Sequence, residues 1–336
     1  MRIRSAIIGC GSIAEVHFKA LSSIEEVDII GAVNRGEEKG RRFALSHGIR
    51  YFSTLDELLS QSVDLVLIAT PPSTHLEIAR KCIECSVRAL IIEKPVCMNK
   101  AECETLLDLE KTSGTLISVF FQSRFFPPVS VVKKALDEKR LGHLSYFMAN
   151  VLWYRDPSYF TSSPYKGFYK NTGGGVLMSQ AIHAIDLLLY FAGEVESFKA
   201  YKTSLFHQVE VEDNASVSLL FKNGALGSIN ASISSWPGES KRISIYGSRG
   251  TICMEEDSIT EWSFSDERPE DEEIRKIYGR KSSSGGYSDP MAINYEYHMK
   301  VVENVINAMK KKEKLLITLS SATRSVALIS DIYASS

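Results

Sequence analysis

The chain has 336 residues, of which 44% are hydrophobic and 24% are charged, and its length suits two domains that each bury their own core. The 39 Lys and Arg residues nearly balance the 41 Asp and Glu residues, so no overall positive field attracts nucleic acid or an anionic membrane. No uninterrupted apolar run approaches the roughly 20 residues of a membrane-spanning helix. The N-terminus shows no cleavable leader. We therefore expect a cytoplasmic protein that binds neither nucleic acid nor membrane.

The chain opens on a pattern typical of a dinucleotide-binding domain. A β-rich run is followed by Gly9-x-Gly11-x-x-Ala14 and an amphipathic stretch, which predicts a strand, a glycine turn and a helix. Gly9 permits the tight turn, Gly11 lets the backbone approach a pyrophosphate, and Ala14 allows close helix–strand packing. The N–H groups at the start of the helix, at Ser12 and Ile13, favour negative phosphates. We therefore predict that Gly9, Gly11, Ser12 and Ile13 bind a nicotinamide dinucleotide.

The end of the second predicted strand, residues 27–33, bears on the choice of coenzyme. An acid that holds the ribose 2′-hydroxyl of NAD is normally found there, whereas this chain has Asn34 and Arg35. Arg35 could pair with the 2′-phosphate of NADP and lie against the adenine. We expect both residues to contact the coenzyme, with NADP preferred and NAD possible.

A later apolar run, residues 63–69, ends in a second candidate coenzyme site. Thr70 and Pro71 follow it directly, and proline stops the strand and leaves backbone groups free for a ligand. His75 lies shortly after them and either borders the nicotinamide or is a structural residue at a helix start. Strands and helices alternate through residue 122, which predicts a Rossmann domain with a doubly wound parallel sheet.

The next apolar run ends abruptly in Glu93-Lys94-Pro95. Ligands of open parallel sheets bind beyond the carboxyl ends of the strands, so Lys94 is expected to face a ligand and Glu93 to contact the coenzyme. The proline restricts Lys94 to an extended backbone, which limits where its side chain points. A strand that runs out into a surface turn would show the same tripeptide.

From residue 123 the pattern changes to the alternation of antiparallel strands that face water on one side. We predict a Rossmann domain at residues 1–122 and a second domain at 123–336. The second is an open-faced, mainly antiparallel sheet with helices on one side, and the terminal helices pack across both domains. Residues 266–273 are predicted to be acidic and exposed, and residues 282–286 to form a flexible loop.

The second half also contains a glycine run, residues 173–175, that opens a strongly apolar helix. Ser179, His183 and Asp186 follow at i, i+4 and i+7, so an α-helix would present all three on one face. A core helix with a satisfied histidine would give the same spacing. The glycines favour a site, because they let a ligand or a coenzyme ring approach the backbone.

Together these motifs resemble those of the Gfo/Idh/MocA family (glucose–fructose oxidoreductase, inositol dehydrogenase, rhizopine catabolism). They are Gly9-x-Gly11-x-x-Ala14, Glu93-Lys94-Pro95, and Gly174-Gly175 followed by His183-x-x-Asp186. The resemblance runs from the first strand to the last helix. It implies a Rossmann domain with a sheet domain, NAD(P)-dependent oxidation or reduction of a sugar or polyol hydroxyl, and homodimers or homotetramers formed through the C-terminal sheet. It also implies that Lys94 and His183 are the catalytic pair and that the Lys94–Pro95 bond is cis.

One position departs from the inositol dehydrogenases of the family. They carry an aspartate four residues before the histidine, where this chain has Ser179 followed by Gln180. The chain is here more similar to members that act on nucleotide-linked amino sugars, such as UDP-N-acetylglucosaminuronate 3-dehydrogenases. We therefore expect a sugar or sugar derivative as substrate, and the 3-position of a nucleotide-linked amino sugar is one candidate for the reacting group. Besides Lys94 and His183, the candidate substrate-binding residues are Gln122, Arg124, Arg155, Lys166, Ser179 and Gln180, although each of the three charged residues is equally well explained as an exposed charge.

The chemistry needs a hydride acceptor, a base for the hydroxyl proton and a group that polarises the carbonyl. Nicotinamide accepts the hydride, a partly buried Lys94 can be the base, and His183 can bind or shuttle the same proton. Two other functions stay open: an inositol or polyol dehydrogenase, and a non-catalytic NAD(P)- or sugar-sensing regulator, against which the presence of Lys94 and His183 argues. No cluster of metal ligands is evident, so we expect no metal.

Overall fold

A computed structural model gives the fold of residues 2–161, 166–279 and 294–335. Helices and strands occur throughout these residues, and they fall into two compact units. The flexible loop that the sequence predicts at residues 282–286 lies outside the described residues.

The two units divide the chain near residue 122. The first unit comprises residues 1–122 and 294–326, and the second comprises residues 123–293 and 327–336. The sequence interpretation assigned everything after residue 122 to the second domain, whereas residues 294–326 belong to the first unit. The extra segment carries His298, which becomes important in the candidate site.

The first unit is built on a six-stranded sheet. Its strands are β1 (Ile3–Ile8), β2 (Val27–Val33), β3 (Arg50–Phe52), β4 (Leu65–Ile68), β5 (Ala89–Ile92) and β6 (Leu116–Val119). They lie in the order β3-β2-β1-β4-β5-β6, and every neighbouring pair is parallel. All residues of β4 and β5 are buried, as expected for strands that are covered on both faces. The order reverses between β1 and β4, where ligands of such sheets bind beyond the carboxyl ends of the strands.

Helices connect these strands. They are α1 (Ser12–Ser22), α2 (Glu37–Ser46), α3 (Leu55–Leu59), α4 (His75–Glu84) and α5 (Lys100–Ser113), and α11 (Tyr295–Met309) joins them from the C-terminal segment. Local chemistry explains the ends of α5, because the side chain of Asn99 accepts from the backbone N–H of Glu102 and Gly114 adopts the left-handed conformation. The predicted Rossmann fold is confirmed, and the predicted ends of these elements within residues 1–122 differ by two residues at most.

The second unit is built on a seven-stranded sheet. Its strands are β7 (Leu144–Leu152), β8 (Val195–Thr203), β9 (Asn214–Phe221), β10 (Leu226–Ser232), β11 (Arg242–Gly247), β12 (Gly250–Glu255) and β13 (Ser258–Phe264). They lie in the order β13-β12-β11-β7-β10-β9-β8. Only β7 and β10 pair in parallel, so the mainly antiparallel sheet is confirmed. The sequence missed the edge strands β8 and β13. No residue of β8 is buried, so β8 lacks the apolar alternation that identifies a half-buried strand.

The helices of the second unit include one that covers a face of this sheet. They are α6 (Pro127–Asp137), α7 (Ser158–Thr161), α8 (Tyr169–Thr172), α9 (Ile182–Ala192) and α10 (Pro269–Tyr278), and the unit boundary falls within α12 (Leu319–Ala334). Nine of the eleven residues of α9 are buried, and α9 contacts β7 and β11. On β7, Phe147, Ala149 and Val151 are buried while the alternating residues are half-buried or exposed, so the other face of the sheet is open, as predicted.

One stretch of the second unit is unusually apolar. Among the described residues, only the helical stretch Tyr169–Ala192 is long and apolar enough to cross a membrane. That criterion uses length and composition alone, and 83% of the apolar window is buried inside the structure. The core helix of a globular protein meets the same criterion when it is buried in this way.

The sequence predicted that the acidic segment 266–273 is exposed, but one of its residues is buried. Asp271 is fully buried, and both of its carboxylate oxygens accept from the guanidinium of Arg140, at 2.6 and 2.7 Å. The indole N–H of Trp262 also donates to it, at 2.6 Å. The prediction is wrong at Asp271 because a bidentate arginine and a third donor stabilise its charge away from water.

Candidate functional site

Five candidate residues of the first unit follow the carboxyl ends of its strands. Gly9 follows β1, Asn34 follows β2, Thr70 lies just beyond β4, Lys94 beyond β5 and Gln122 beyond β6. Because all six strands are parallel, these positions share one edge of the sheet. This is the edge at which ligands bind in doubly wound sheets.

The glycine turn after β1 separates two different roles for glycine. Gly9 has φ +95°, and a Cβ there would lie 2.7 Å from the carbonyl oxygen of Ala69, so only glycine fits the turn. A Cβ on Gly11 would meet no protein atom within 4 Å. Helix α1 begins directly after Gly11, which supplies no side-chain cap. An open space beside uncapped N–H groups at a helix start fits the phosphates of a dinucleotide.

Asn34 shapes this turn from the neighbouring strand. Its side-chain oxygen accepts from the backbone N–H of Cys10 at 3.0 Å, and its side-chain nitrogen donates to the carbonyl of Gly36 at 2.8 Å. The side chain therefore supports the glycine turn, whereas the sequence predicted a direct contact with the coenzyme. Arg35 is exposed at the same strand end. Of the basic residues on α2, Arg41 is paired with Glu37 at 2.7 Å.

His75 is a structural residue. Its ring is fully buried, with Nε2 2.8 Å from the carbonyl oxygen of Thr70 and Nδ1 3.0 Å from that of Pro95. Burial lowers the pKa of His75, so the ring is neutral at neutral pH and donates to one of the two carbonyls at a time. Of the two interpretations that the sequence left open, the structure supports the structural one, because both ring nitrogens face the backbone.

Lys94 occupies the position that the sequence indicated. It is half-buried just after β5, and the Lys94–Pro95 peptide bond is cis, as the family resemblance implied. Burial lowers the pKa of Lys94, and the negative charge of Glu93 opposes that shift. A lysine in such surroundings can be neutral at a pH where an exposed lysine stays protonated.

The carboxylate of Glu93, which the sequence predicted to contact the coenzyme, has protein partners in the structure. It is buried, and its Oε1 lies 2.8 Å from Nε2 of the fully buried His17 on α1. Its Oε2 accepts from the backbone N–H of Lys94 at 3.1 Å. His298 on α11 completes a cluster whose ring-nitrogen and carboxylate atoms lie within 4.8 Å of one another. We call His17, Glu93 and His298 the buried triad.

The sequence did not single out His17 or His298. They lie far apart along the chain, and α11 reaches β5 only in the folded first unit. A histidine among the apolar residues of α1 was the available signal. The stacking of His17 on Phe120, with ring centroids 4.0 Å apart, is also a tertiary contact and left no trace in the local pattern.

Gln122 lies at the end of the first unit, and the side-chain oxygen of this residue is an unsatisfied acceptor within the described part of the chain. Its Oε1 is buried and has no hydrogen-bond partner among the described residues. Leaving such an acceptor unsatisfied costs about 1–3 kcal/mol. A ligand N–H or O–H would satisfy it, which fits the predicted contact between Gln122 and a substrate.

In the second unit, protein atoms lie close to two glycines of the run 173–175. A Cβ on Gly174 would lie 2.1 Å from the hydroxyl oxygen of Tyr333, and one on Gly175 would lie 1.9 Å from the carbonyl oxygen of Glu212. The carboxylate of Glu212 also accepts from the backbone N–H of Gly175 and of Leu177, each at 3.0 Å. The protein itself therefore fills the space for which the sequence predicted a ligand.

The helix after the glycines begins with a π-helical turn, Leu177–Ala181, before α9. The predicted α-helical spacing therefore does not hold at Ser179, whose hydroxyl donates to the carbonyl of Gly175 at 2.6 Å. His183 is half-buried in the first turn of α9. The side chain of Asp186 is buried in an ion pair, which removes it from the predicted polar face.

Arg124 is the partner of Asp186. Its Nε and one terminal nitrogen donate to the two carboxylate oxygens at 2.8 and 2.6 Å, and both side chains are at least 98% buried. A bidentate pair of this kind holds the start of the second unit against α9. The sequence predicted that Arg124 meets the substrate; in the structure its guanidinium neutralises the buried carboxylate of Asp186.

The other predicted substrate residues surround Tyr159, which the sequence did not identify. The ammonium of Lys166 lies 3.5 Å from the centroid of the Tyr159 ring, and the guanidinium of Arg155 lies 5.9 Å from it. The amide of Gln180 donates to the Tyr159 hydroxyl at 3.1 Å. Burial lowers the pKa of Lys166, and the nearby Arg155 lowers it further. We call Arg155, Tyr159, Lys166 and Gln180 the basic–aromatic cluster.

Two family models match the chain. Residues 3–121 match the oxidoreductase family with an NAD-binding Rossmann fold, and residues 129–253 match the Gfo/Idh/MocA C-terminal domain. The chain belongs to the Gfo/Idh/MocA family. The first match includes Lys94 and the second includes His183, so both catalytic candidates lie within the matched regions.

Known members of the family resemble this chain over most of its length. Oxidoreductase P35 of Formosa agariphila is 32% identical over 228 residues, which are 66% of this chain and 70% of that protein. The myo-inositol 2-dehydrogenase of Thermotoga maritima is 26% identical over 273 residues, which are 79% of each protein. The solved WlbA dehydrogenase of Bordetella pertussis, in complex with NADH and UDP-GlcNAcA, is 27% identical with a TM-score of 0.88, and the match covers 100% of this chain and 96% of that chain.

Proposed function

We propose that the protein is a nicotinamide-dependent dehydrogenase that interconverts a hydroxyl and a ketone at the 3-position of a nucleotide-linked sugar. The observation that carries this proposal is the half-buried Lys94 on the same sheet edge as the open space beside Gly11. The similarity to a full-length relative that was solved with NADH and UDP-GlcNAcA supports the coenzyme and substrate classes.

The chain's own residues supply binding and proton transfer. A bound nicotinamide accepts or donates the hydride. Uncapped N–H groups after Gly11 hold the phosphates. Lys94 takes the proton of the substrate hydroxyl and becomes an ammonium, and in the reverse direction the ammonium returns that proton to the forming hydroxyl. His183 of the second unit is proposed as a further proton-handling group and is tested separately.

The basic–aromatic cluster supports an anionic substrate. Arg155 and Lys166 place two positive charges at one tyrosine, and burial lowers the pKa of Lys166. Such a pair gains from a bound diphosphate or carboxylate, which offsets the repulsion between the two cations. Inositol and other free polyols offer no such charge. We therefore favour a nucleotide-linked or acidic sugar over a free polyol.

A spectrophotometric screen tests the substrate class. Absorbance at the reduced-nicotinamide band is followed with UDP- and dTDP-sugars, hexuronic acids, free sugars and inositols, each with NAD and with NADP. We expect turnover with a nucleotide-linked sugar and little with free polyols. Turnover confined to inositol would favour the polyol dehydrogenase that the Thermotoga maritima relative represents, and binding without turnover across the panel would favour a sensor.

Replacement of Lys94 tests the catalytic assignment. Lys94→Met removes the proton-transfer group and is expected to lower kcat by about 10²–10⁴-fold, with dinucleotide affinity retained. Lys111→Met, on the exposed side of α5, is the matched control and should keep full activity. Full turnover in Lys94→Met would refute the role. His183→Ala should also reduce kcat, and an unchanged rate would remove His183 from the mechanism.

We also propose that Arg35 favours NADP over NAD, because it is exposed at the strand end where an acid would repel a 2′-phosphate. The wild type should show the higher kcat/KM with NADP. Arg35→Ala should lower that value about tenfold or more and change the value for NAD much less. Arg41→Ala, whose guanidinium already pairs with Glu37, is the control. A wild-type preference for NAD would overturn this proposal.

A homo-oligomer formed through the open face of the second sheet is a further proposal. Leu226 and Tyr201 are 53% and 84% exposed, and half-buried Met148 lies between Ser228 and Ser244 in the strand register. Light scattering after gel filtration should give a dimer or tetramer for the wild type. Met148→Lys should give a smaller species because it places a charge in the interface. A monomeric wild type would contradict this proposal.

A further inference from the structure

The buried triad lies directly behind the proposed catalytic lysine. Glu93 precedes Lys94 in the chain, and its carboxylate accepts both from His17 and from the backbone N–H of Lys94. His17 and His298 are 0% and 2% exposed. Water therefore screens the charge of Glu93 poorly, and the surrounding protein groups must stabilise it.

The protonation of the neighbouring groups follows from their contacts. Nδ1 of His17 is buried and has no hydrogen-bond partner among the described residues, so an imidazolium there would bury an unsatisfied N–H. A neutral ring that donates from Nε2 to Glu93 avoids that cost. Nδ1 of His298 lies 3.3 Å from the carbonyl oxygen of Asn294, which fits a neutral ring that donates from Nδ1.

The surroundings of Glu93 favour its charged form. Burial alone would raise the pKa of Glu93, but the hydrogen bond from His17 and the nearby Lys94 lower it below its ordinary value. Burial lowers the pKa of His298 to about 4, and burial also lowers the pKa of His75. The groups that face Glu93 are the rings of His17, His75 and His298 and the side chain of Lys94. The charges of Glu93 and Lys94 each favour the charged form of the other.

We propose that the His17–Glu93 pair is a positioning element that orients Lys94 through its backbone N–H and sets how readily the lysine holds and releases the substrate proton. This rests on the proposed role of Lys94 as the proton-transfer group. Burial drives the lysine toward its neutral form, and Glu93 favours the ammonium. The balance lets one side chain accept a proton during oxidation and donate it during reduction.

The titration of Lys94 tests this proposal without any need for turnover. The protein is labelled with [ε-¹³C]lysine, and the Lys94 resonance is assigned by its absence in Lys94→Met. Glu93→Gln keeps the shape and removes the negative charge that favours the ammonium form of Lys94. At the pH where half of wild-type Lys94 is protonated, we expect no more than about a quarter to be protonated in Glu93→Gln. An unchanged fraction would overturn the proposal.

Two matched variants separate charge from packing. His298→Asn disturbs the same buried triad but removes a neutral ring, so Lys94 should stay about half protonated at that pH. Glu93→Asp keeps the charge and should give a fraction closer to the wild type than Glu93→Gln does. A shift in His298→Asn as large as that in Glu93→Gln would show that packing rather than charge is responsible, and would refute the proposal.

Two further measurements keep the proposal testable. If Glu93→Gln does not fold, the reciprocal linkage is measured in Lys94→Met, where Glu93 should become protonated at a higher pH than in the wild type, as seen in the infrared carboxyl band. An unchanged band would overturn the proposal. If dialysis of the wild type against EDTA moves the Lys94 titration, the buried triad holds a metal ion and the proposal fails. The absence of sugar oxidation would refute the proposed function alone, because the titration does not require it.

Discussion

The chain has two glycine-rich segments, at residues 9–11 and 173–175, and they have different surroundings in the folded protein. Gly11, at the start of α1, leaves open space where a Cβ would be. At Gly174 and Gly175 that space is occupied by Tyr333 and Glu212. The first run is available to a ligand. At the second run, parts of the second unit pack closely together. This contact lies just before the turn that leads to His183.

The difference shows that the role of a glycine depends on which atoms occupy the space where a side chain would lie. A ligand must fill it for the glycine to have a binding role, and at Gly11 no protein atom does so. At Gly175 the backbone of Glu212 does so, and the same residue's carboxylate binds two N–H groups of the following turn. At Gly174 and Gly175 protein atoms therefore occupy this space, and the carboxylate of Glu212 positions the turn that leads to His183.

The largest expected effect is that of Gly175→Ala. The added methyl group would lie 1.9 Å from the carbonyl oxygen of Glu212, and this carbonyl already accepts from the backbone N–H of Val176. Relief requires a backbone shift, so we expect a loss of about 3 kcal/mol or more. Differential scanning fluorimetry should show a much lower Tm. Gly36→Ala, whose Cβ would meet only an ordinary contact at 3.5 Å, is the control, and equal Tm values would break the comparison.

Gly11→Val should do the opposite and weaken binding without weakening the fold. The backbone at Gly11 has φ −78°, which any residue adopts, and the side chain meets no protein atom at its Cβ. The dinucleotide Kd should rise about tenfold or more, which corresponds to about 1.4 kcal/mol, while Tm in the absence of ligand stays close to the wild type. Gly9→Ala should lower Tm because of its φ of +95°. Tight coenzyme binding by Gly11→Val would remove the ligand role.

Tyr333→Phe should have a smaller effect on the second glycine run. The ring keeps its packing on Gly174, but the hydroxyl no longer donates to Glu212 at 2.8 Å or accepts from the N–H of Gly175 at 3.2 Å. A net loss of about 1 kcal/mol is expected. Tyr295→Phe, at an exposed side chain of α11, should leave Tm unchanged. An identical Tm for both variants would show that the hydroxyl contributes nothing.

The smallest effect is a pH dependence from Glu212. Burial raises the pKa of Glu212 above its ordinary value of 4.5. Between the two values the folded state binds more protons than the unfolded state, so this group's contribution to stability falls as the pH rises through that window. Tm is measured from pH 4 to 8 for the wild type and Glu212→Gln, and the wild type's Tm relative to the variant should decline with pH. A constant difference would show that Glu212 does not titrate.

Much of the fold could be predicted from local pattern. Strict apolar runs predicted buried parallel strands, and the strand–glycine–helix order predicted the Rossmann fold. The edge strand β8 was missed because none of its residues is buried, so it carries no alternation. The cis bond at Lys94–Pro95 was implied only by the resemblance to the family.

The sequence by itself determined which chemical groups follow each strand, because a strand and the motif directly after it are local in the chain. Lys94 and the open glycine turn belong to this class. Only the tertiary structure decided how buried polar groups are paired: Arg124 with Asp186, and His17 with Glu93 beside His298. These partners are distant in the chain, and a buried charge takes whichever partner the fold brings within hydrogen-bond distance. Their roles therefore became visible only when each unit was folded.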